Sequence, residues 1–377
     1  MENKKIRVGV VGLGHRGRAM MKLSGVFDCV EVAAMCDIRP HNFYETQWLS
    51  DKPMAEYFPN AQFYESYDEM LDKANLDVVI VETGADIHAE FCAKAMKKNI
   101  NVLTDIPVVA NLAEAEMLWK AAQESSAMIS VGANPNYRRF TFMLKDFYNK
   151  GLLGKAYCLE AEYIHWYLPG SQGNIHLNEN GDWRKLLIPI RYCTHSLGPL
   201  LTVVPEDLRY CSCFGTGPQG EGSTKDDMMC AQFKTESGVV VRLMRNGRCR
   251  AQIGTHNYRV FGTEGYMELI ERFGKKVIRY NSMKELDTDL KEVDGKDMLP
   301  KYERDPKIVN SGHGGLDYAM LDEFYTAVLE GKSAPVSLKE GLAMTLPGIY
   351  AEESAKRNGE VIRMVYPWDK DWSTEIK

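Results

Sequence analysis

A glycine-rich turn near the N-terminus constrains the fold of this 377-residue chain more than any other feature. The apolar segment Ile6–Val11 has the character of a β-strand, and the sequence Gly-Leu-Gly-His-Arg-Gly follows it at residues 12–17, where a helical pattern begins. Glycines at this spacing let the pyrophosphate of a dinucleotide approach the backbone and the helix N-terminus. Asp37 ends the next apolar segment, where an acidic residue would accept hydrogen bonds from the adenosine ribose. The charge of Asp37 favours NAD, while Arg39 nearby leaves NADP open as an alternative.

Strand-like and helical patterns alternate through the first third of the chain. Such alternation predicts a doubly wound parallel sheet with helices on both faces, an α/β arrangement. After Asn134 the pattern changes to strand candidates separated by short turns, which favours an α+β arrangement with an open, largely antiparallel sheet and additional helices. We therefore predict two domains, a nucleotide-binding domain at residues 1–133 and a substrate-binding and oligomerisation domain at residues 134–377.

Two segments of the second half carry specific expectations. The polar stretch Ser282–Ser311 lacks a clear periodicity and is predicted to form a surface excursion or lid. The apolar pattern of Leu338–Arg357 predicts a helix that is broken or kinked at Pro347, because proline lacks the N–H that continues a helix.

Composition and charge exclude several classes of protein. The formal net charge is −6 and there is no basic stripe, which argues against a nucleic-acid partner. No apolar run approaches the roughly 18 residues of a membrane-spanning helix, so no membrane partner is expected. The first apolar strand is too short for the core of a signal peptide, and we expect a cytoplasmic protein, with export open if the N-terminus was trimmed. The nine cysteines form no Cys-x-x-Cys pair, and no metal site is predicted.

Over nearly its whole length the sequence resembles the glucose–fructose oxidoreductase / inositol dehydrogenase family (Gfo/Idh/MocA). The segment Glu82–His88 is similar to the nicotinamide-side loop of that family, and Leu103–Pro107 stands where the family usually has Glu-Lys-Pro. The resemblance implies an N-terminal Rossmann domain that binds NAD, a C-terminal domain with an open sheet, and a small-molecule sugar or glycoside bound between the two. It also implies a homodimer or a homotetramer.

Two departures from the usual sugar dehydrogenases of the family are informative. Ile106 replaces the usual lysine, which helps to polarise the hydroxyl being oxidised, and isoleucine cannot move a proton. Arg191 stands where those dehydrogenases carry an aspartate, four residues before the catalytic histidine, which matches His195. The sequence therefore keeps the histidine and lacks both of its usual partners.

One branch of the family has similar departures, the NAD-dependent α-N-acetylgalactosaminidases of glycoside hydrolase family 109. Its motif Thr-His-x-Leu-Gly-Pro matches residues 194–199, Ala-x-Tyr-Ile-His resembles residues 161–165, and Gly-His-Gly-Gly-x-Asp matches residues 312–317. An upstream Trp-Arg is similar to residues 183–184. The match is incomplete at residues 133–137, where Ala-Asn-Pro-Asn-Tyr replaces Glu-Asn-Cys-Cys-Tyr and the acidic residue is lost.

The resemblance to this branch implies a redox-neutral cleavage of glycosides. The sugar is oxidised transiently at C3, which acidifies the C2 proton; a base removes that proton, the C1 substituent is eliminated, water adds back, and the C3 carbonyl is reduced again. The predicted catalytic residues are His195 for the C3 hydroxyl proton, Tyr163 as the base at C2, and His313 as acid and base at the leaving group. His165, on the same strand face as Tyr163, is predicted to support the site without reacting.

The remaining predicted site residues bind cofactor or sugar. The predicted cofactor-binding residues are Gly12, Gly14, His15, Arg16, Gly17, Asp37, His88 and Asp105. The predicted substrate residues are Tyr137, Trp183 and Arg184, which could equally belong to a core. Three arginines, Arg242, Arg245 and Arg248, are interpreted as a solvated face, with an interface or the binding of an anionic sugar as alternatives. Two alternative functions stay open: a net NAD-dependent sugar or polyol dehydrogenase, and a catalytically silent NAD-sensing regulator.

Overall fold

The computed structural model describes residues 5–48, 50–165, 187–219, 225–247, 256–272, 274–293 and 305–377. The chain divides into two compact units, the first formed by Met1–Ala133 with Tyr302–Gly341 and the second by Asn134–Lys301 with Leu342–Lys377. The predicted domain of residues 134–377 therefore needs a correction, because residues 302–341 pack with the first unit. The helical pattern of these residues does not indicate which of the two units they join.

The strands of the described residues lie in both units. In chain order they are β1 (Ile6–Val11), β2 (Val30–Cys36), β3 (Gln62–Tyr64), β4 (Val78–Val81), β5 (Asn101–Thr104), β6 (Ile129–Val131), β7 (Ala156–Ile164), β8 (Leu208–Gly215), β9 (Met228–Thr235), β10 (Val240–Asn246), β11 (His256–Gly262), β12 (Gly265–Arg272), β13 (Lys275–Ser282), β14 (Lys291–Val293) and β15 (Ile362–Arg363).

The α-helices alternate with strands in the first third of the chain and are clustered later. They are α1 (His15–Ser24), α2 (His41–Tyr44), α3 (Met54–Tyr57), α4 (Tyr67–Lys73), α5 (His88–Lys97), α6 (Leu112–Glu124), α7 (Arg139–Asn149), α8 (Thr194–Leu201), α9 (Pro306–Val309), α10 (Leu316–Glu330) and α11 (Leu338–Lys356). Short 3-10 turns occupy Asn134–Tyr137, Pro189–Arg191 and Gly312–Gly315.

The sheet of the first unit is parallel throughout. Its six strands have the order β3-β2-β1-β4-β5-β6. All four residues of β4 are buried, as expected for a central strand whose two faces are covered by helices. The strand order reverses between β1 and β4, and sheets of this kind bind ligands beyond the carboxyl ends of the strands at that point. The predicted doubly wound sheet is confirmed.

The sheet of the second unit is mixed and mostly antiparallel. Its nine strands have the order β14-β13-β12-β11-β7-β10-β9-β8-β15. β7 pairs with β10 in parallel, whereas β7 with β11 and the consecutive pairs from β8 to β10 and from β11 to β14 are antiparallel. Along β9, Met229, Ala231 and Phe233 are buried while the residues between them are exposed. One face therefore carries the core and the other is polar, so the predicted largely antiparallel sheet is confirmed.

A row of alternating charges crosses the polar face of this sheet, and we call it the charged row. The strand register pairs its members across six strands in the order Arg242, Glu160, Arg259, Glu268, Arg279 and Glu292. Consecutive members form ion pairs with N···O distances between 3.0 and 3.9 Å. The side chain of Glu268 is 11% exposed and that of Glu292 is 65% exposed, so the row is most buried near its centre.

The structure bears on two expectations for single elements. The helix α11 continues through Pro347 and is not broken there. The thiol of Cys193 donates a hydrogen bond of 3.2 Å to the carbonyl of Met344 in this helix. The predicted excursion at Ser282–Ser311 contains β14 and α9 in its described parts, and residues 294–304 lie outside the described residues.

Candidate functional site

The turn between β1 and α1 is shaped by its glycines. Gly12 has a φ of +92°, a conformation that side chains other than glycine rarely adopt. A Cβ atom added at Gly17 would lie 1.8 Å from the carbonyl oxygen of Gly12, so the helix packs directly against the turn. A Cβ atom added at Gly14 would meet no described heavy atom within 4 Å, although this residue caps α1. Open space at a helix N-terminus fits the pyrophosphate of a dinucleotide.

Asp37 follows β2 and is held by backbone donors. Its Oδ2 accepts a hydrogen bond of 2.7 Å from the amide of Leu13, and its Oδ1 accepts one of 2.9 Å from the amide of Arg39. Each carboxylate oxygen keeps a second acceptor position, so this residue can still bind ribose hydroxyls. The turn and Asp37 together fit NAD as the predicted cofactor.

His88 links the loops that follow β4 and β5. Its side chain is buried, and its Nδ1 and Nε2 atoms each lie 3.0 Å from a backbone carbonyl oxygen, of Pro107 and Thr83 respectively. Burial lowers the pKa of His88, so the ring is neutral near pH 7. Both ring nitrogens thus face backbone carbonyl oxygens, and the single N–H of the neutral ring donates to one of them, which agrees with a cofactor-side role that involves no proton transfer.

A cluster of three carboxylates surrounds the guanidinium of Arg16, and we call it the Arg16 cluster. The Nη1 and Nη2 atoms of Arg16 donate to the two oxygens of Asp317, the second at 3.0 Å, and Nε lies 3.7 Å from Asp105 and 3.9 Å from Glu82. Arg16 follows β1, Asp105 follows β5, and Glu82 follows β4, so the parallel strands bring all three to one edge of the sheet. Arg16 and Asp105 were predicted to bind cofactor; their side chains contact each other.

The pKa values of two carboxyl groups in the Arg16 cluster are shifted in opposite directions. Burial and then the charge of Asp105 raise the pKa of Glu82 well above its usual range, and a hydrogen bond between the two carboxyl groups adds to the shift. Burial also opposes ionisation of Asp317, but the charge of Arg16 and a hydrogen bond from His313 hold its pKa well below its usual range. Glu82 is therefore the group of the cluster that most resists ionisation, and Asp317 the one that ionises most readily. The sequence analysis did not identify Glu82, whose position directly after a buried strand was the available signal.

His313 lies in the 3-10 turn before α10. Its backbone has a φ of +53°, and its side chain is 56% exposed. Its Nδ1 atom lies 2.8 Å from Oδ2 of Asp317. The residue predicted as an acid and base is thus connected through Asp317 to Arg16, all within the first unit.

The second unit places Tyr163 between two basic side chains. The strand register pairs Tyr163 on β7 with Arg245 on β10 at one side and with His256 on β11 at the other. The guanidinium carbon of Arg245 lies 4.1 Å from the centroid of the Tyr163 ring, and the His256 ring stacks on it with a centroid distance of 4.1 Å. Positive charge and an imidazole therefore flank the predicted base.

His195 lies near the start of α8 and completes this group, which we call the Tyr163 cluster. Its ring centroid is 5.7 Å from those of Tyr163 and His256, and its Nε2 atom is 3.5 Å from the hydroxyl of Tyr192. The hydroxyl of Tyr258 donates a hydrogen bond of 2.6 Å to the backbone carbonyl of His195. The structure thus brings together two residues that the sequence analysis predicted as catalytic, His195 and Tyr163.

Two members of the Tyr163 cluster were not predicted. The interpretation of Arg245 as part of a solvated face is wrong, because this side chain is buried and donates to the backbone carbonyl of Tyr163 at 3.2 Å. Arg242 is on the polar face, and Arg248 lies outside the described residues. His256 is also buried; burial, followed by the charges of Arg138 and His195, holds its pKa well below its usual range, so it is neutral.

The other predicted residues are placed less centrally or are not described. The ring centroid of His165 lies 5.6 Å from that of Tyr163. Tyr137 is buried in its 3-10 turn, which favours the packing alternative over contact with a sugar. The ring of His15 lies 6.0 Å from the ring of Trp48. Trp183 and Arg184 lie outside the described residues.

The described part of the chain has neither a metal-binding group of side chains nor a membrane-spanning helix. It contains no group of three or more histidine, cysteine, aspartate or glutamate side chains that could hold a metal ion. No helix in this part combines the length and apolar character that crossing a membrane requires.

Comparison with protein families identifies the first unit. Residues 6–133 match the Gfo/Idh/MocA family model, described as "Oxidoreductase family, NAD-binding Rossmann fold". The match covers the glycine-rich turn, Asp37, Glu82 and Asp105. It confirms two predictions at the level of the family, NAD as the cofactor and an enzyme of the oxidoreductase class.

Curated relatives and solved structures match nearly the whole chain. A "Glycosyl hydrolase family 109 protein" of Shewanella pealeana is 23% identical over 399 residues, covering 95% of this chain and 84% of the relative. The "Alpha-N-acetylgalactosaminidase" of Shewanella oneidensis is 23% identical, covering 93% and 82%. A levoglucosan dehydrogenase in complex with NADH has the same fold, with a TM-score of 0.78 at 15% identity, covering 96% of this chain and 100% of that one. The aldose-aldose oxidoreductase of Caulobacter crescentus has a TM-score of 0.72 at 16% identity, covering 96% and 100%. The resemblance stated from the sequence is thereby confirmed, and residues 6–133 belong to the NAD-binding Rossmann fold of the Gfo/Idh/MocA oxidoreductases.

Proposed function

We propose that this protein is an NAD-dependent enzyme that cleaves a glycoside without net oxidation or reduction. The observation that supports this most directly is the Tyr163 cluster, in which a tyrosine and a histidine lie side by side with ring centroids 5.7 Å apart. Elimination requires a second base that removes a proton from carbon, whereas simple oxidation of an alcohol requires one base alone. The family-109 names of the curated relatives support the same reaction class.

Each step of this reaction needs a proton carrier at a defined atom. Bound NAD would supply a reversible acceptor for the hydride at C3 of the sugar. His195 takes the proton of the C3 hydroxyl as that carbon becomes a carbonyl, and returns it at the end. Tyr163 removes the C2 proton, the C1–O bond breaks as the C1–C2 double bond forms, and Tyr163 returns a proton to C2 when water adds at C1. His313 protonates the departing oxygen and then takes a proton from the water that adds at C1.

The surroundings of Tyr163 suit a base. The guanidinium of Arg245, 4.1 Å from the ring centroid, would stabilise the negative charge that develops on the phenol oxygen. His256 stacks on the same ring and is neutral, so it adds packing without a second full charge. The cation–π geometry thus combines orientation with electrostatic stabilisation.

The first experiment combines three readouts in one assay: aryl alcohol release, NADH and deuterium at C2. The purified protein is incubated with NAD and a panel of aryl α- and β-glycosides that includes N-acetylgalactosaminides, in D₂O. We expect release of the aryl alcohol that requires NAD, no accumulation of NADH, and deuterium at C2 of the product. NADH that rises in step with substrate consumption, without aryl release, would instead establish the net dehydrogenase.

Two variants assign the steps. Tyr163→Phe is expected to lose deuterium incorporation at C2 while it keeps a burst of NADH from oxidation at C3. His195→Asn is expected to lose both signals. Wild-type protein that binds NAD but produces neither signal with any glycoside of the panel would favour the silent regulator.

A further inference from the structure

We propose that Asp317 is a positioning residue that keeps the proton of neutral His313 on Nδ1 and so makes Nε2 its basic nitrogen. The proposal rests on the proposed function only in giving His313 a part in proton transfer. The position of the proton is a property of the first unit and is measured without any substrate. No part of the sequence analysis assigned a role to Asp317.

The hydrogen bond between the two side chains has one consistent assignment. The Nδ1 atom of His313 lies 2.8 Å from Oδ2 of Asp317. Asp317 is ionised, because the Nη1 and Nη2 atoms of Arg16 donate to its two oxygens, and an ionised carboxylate only accepts hydrogen bonds. Nδ1 must therefore carry the proton, since a lone pair facing a carboxylate oxygen at this distance would be repelled. The partner of one ring nitrogen decides which nitrogen holds the proton.

A competing assignment is present in the same cluster. Nη1 of Arg16 lies 3.5 Å from Nδ1 of His313 and could donate to it if the ring proton were on Nε2. That contact is 0.7 Å longer than the contact with Asp317 (3.5 against 2.8 Å) and lies at the limit of hydrogen bonding. The guanidinium of Arg16 and the ring N–H of His313 can both donate to Asp317 only when the ring proton is on Nδ1.

The backbone of the turn that contains His313 packs closely against the carboxylate of Asp317. A Cβ atom added at Gly312 would lie 2.4 Å from Oδ2 of Asp317, so the turn leaves just enough room for this oxygen. His313, Gly314 and Gly315 have φ values of 53°, 71° and 89°, which makes three left-handed residues in succession. A histidine at such a φ costs conformational energy that the surrounding contacts must offset. The geometry favours one position of the imidazole over the many that a solvent-exposed turn would otherwise allow.

The two side chains differ in burial, so Asp317 is fixed in place whereas His313 is accessible to solvent. The side chain of Asp317 is 3% exposed and that of His313 is 56% exposed. Asp317 begins the first turn of α10 and is held by Arg16 on α1, so its carboxylate cannot turn to follow the ring. The imidazole is thus oriented at Nδ1 while the rest of the ring remains open to solvent, as a group that exchanges protons with a ligand requires.

The experiment locates the ring proton directly. The full-length protein is labelled with ¹⁵N at its eight histidines, and the two-bond ¹H–¹⁵N spectrum is recorded near pH 9, where neutral imidazoles dominate, about 2 units above the ordinary histidine pKa. His313→Gln identifies the signals of residue 313. We expect a protonated Nδ1 and an unprotonated Nε2 in the wild type, and a majority of protonated Nε2 in Asp317→Asn. A wild-type ring with its proton on Nε2, or an unchanged ring in Asp317→Asn, would overturn the proposal.

A matched variant separates this effect from the loss of a buried ion pair. Asp369→Asn removes the carboxylate that two nitrogens of Arg209 bind in the second unit, and no histidine contacts Asp369 among the described residues. Both variants are expected to lower the unfolding temperature, but only Asp317→Asn should change the histidine spectrum. An equal spectral change in Asp369→Asn would contradict a specific role of Asp317.

Turnover then tests whether the oriented ring serves the proposed reaction. Positioned acid–base groups contribute about 10²–10⁴-fold to rate. We expect the kcat of Asp317→Asn to fall by no more than that of His313→Gln, with NAD affinity within about threefold of the wild type. Failure of all glycosides with the wild-type protein would count against the proposed function alone, because the spectral result does not depend on them.

Discussion

Arg242 and Arg245 are three residues apart on β10 and have opposite surroundings. The first belongs to the charged row, and the second is buried beneath the ring of Tyr163. The alternation of the strand contained this information, because Arg245 has the same parity as the buried residues Val241 and Leu243. We interpreted Arg245 as exposed because arginine usually lies at the surface, and we gave less weight to its position in the alternation of the strand. His195 and Tyr163 were predicted from motifs, whereas their contacts with Arg245 and His256 follow from strand register, which single-strand patterns do not contain.

The buried, neutral state of His256 predicts a pH dependence of stability. Below about pH 6.5 the unfolded chain protonates this histidine while the folded protein keeps it neutral. The unfolded state then binds more protons, so the free energy of unfolding falls as the pH falls, by up to about 1.4 kcal/mol per pH unit for one group. His256→Phe, which keeps a ring against Tyr163, is expected to remove this one-proton part of the slope between pH 7.5 and 5.

Urea unfolding of the wild type and of His256→Phe at several pH values measures the two slopes. His88 is also buried with a lowered pKa, and it contributes equally to both proteins. Parallel curves for the two proteins across this range would show that His256 is protonated in the folded state as well.

At the scale of elements, the turn from β1 to α1 was the most predictable part of the molecule. Its glycine spacing has one structural solution, because Gly12 has a positive φ, Gly17 packs against the carbonyl of Gly12, and Gly14 leaves open space at the helix N-terminus. β8 was missed: its sequence Leu-Arg-Tyr-Cys-Ser-Cys-Phe-Gly was considered only for the spacing of its cysteines. The helix α11 was predicted from the local sequence to be broken or kinked at Pro347; it is not broken, because tertiary packing stabilises the helix through that residue.

Two glycines of this turn provide a matched pair of variants. Gly14→Ala places a methyl group in open space, so the protein without cofactor should keep its unfolding temperature, while NAD binding should weaken at least tenfold because the methyl group occupies the space for the pyrophosphate. Gly17→Ala places its methyl group 1.8 Å from the carbonyl oxygen of Gly12 and should lower the unfolding temperature even without NAD.

Thermal unfolding with and without NAD, together with calorimetric titration of NAD, distinguishes the two effects. Unchanged NAD affinity in Gly14→Ala would place the pyrophosphate away from this turn. Wild-type stability in Gly17→Ala would show that the turn adapts more easily than its packing suggests.

The charged row predicts that its centre stabilises the sheet more than its end. Arg259→Gln removes the partner shared by Glu160, Glu162 and Glu268, and is expected to cost about 1–2 kcal/mol because these carboxylates are partly buried. The control Glu292→Gln, at the exposed end of the row, is expected to stay within about 0.5 kcal/mol of the wild type. Urea unfolding at low and high salt measures the free energy of unfolding of both variants. Equal losses in the two variants would contradict the prediction that the centre of the row stabilises the sheet more than its end.

At the scale of the whole molecule, the two fold classes were predicted correctly and one assignment of chain to unit was not. Periodicity distinguishes a parallel sheet with helices from an antiparallel sheet, because it reflects which faces are buried. It does not determine which unit a later helix joins. The segment that contains α10 packs with the first unit through the stacked rings of Phe27 and Tyr318, and through a hydrogen bond of 2.7 Å from the hydroxyl of Tyr325 to Ser24.

This return of the chain predicts how fragments behave. Residues 1–133 alone lack the aromatic cover supplied by α10 and are expected to be poorly folded, with NAD binding at least tenfold weaker than that of the full chain. Joining residues 1–133 to residues 302–341 by a flexible linker should restore a cooperative unfolding transition and NAD binding. Circular dichroism and calorimetry measure both. A stable, NAD-binding fragment of residues 1–133 would show that the segment is dispensable.

The charged row also affects how the sequence can change over time. Each inner member has a partner of opposite sign on both sides, so reversal of one charge, as in Arg259→Glu, sets three acidic side chains side by side. No single second change repairs this, because two neighbours would have to change together. We therefore expect related sequences to vary freely at Arg242 and Glu292, and to exchange Glu160, Arg259, Glu268 and Arg279 only as a set.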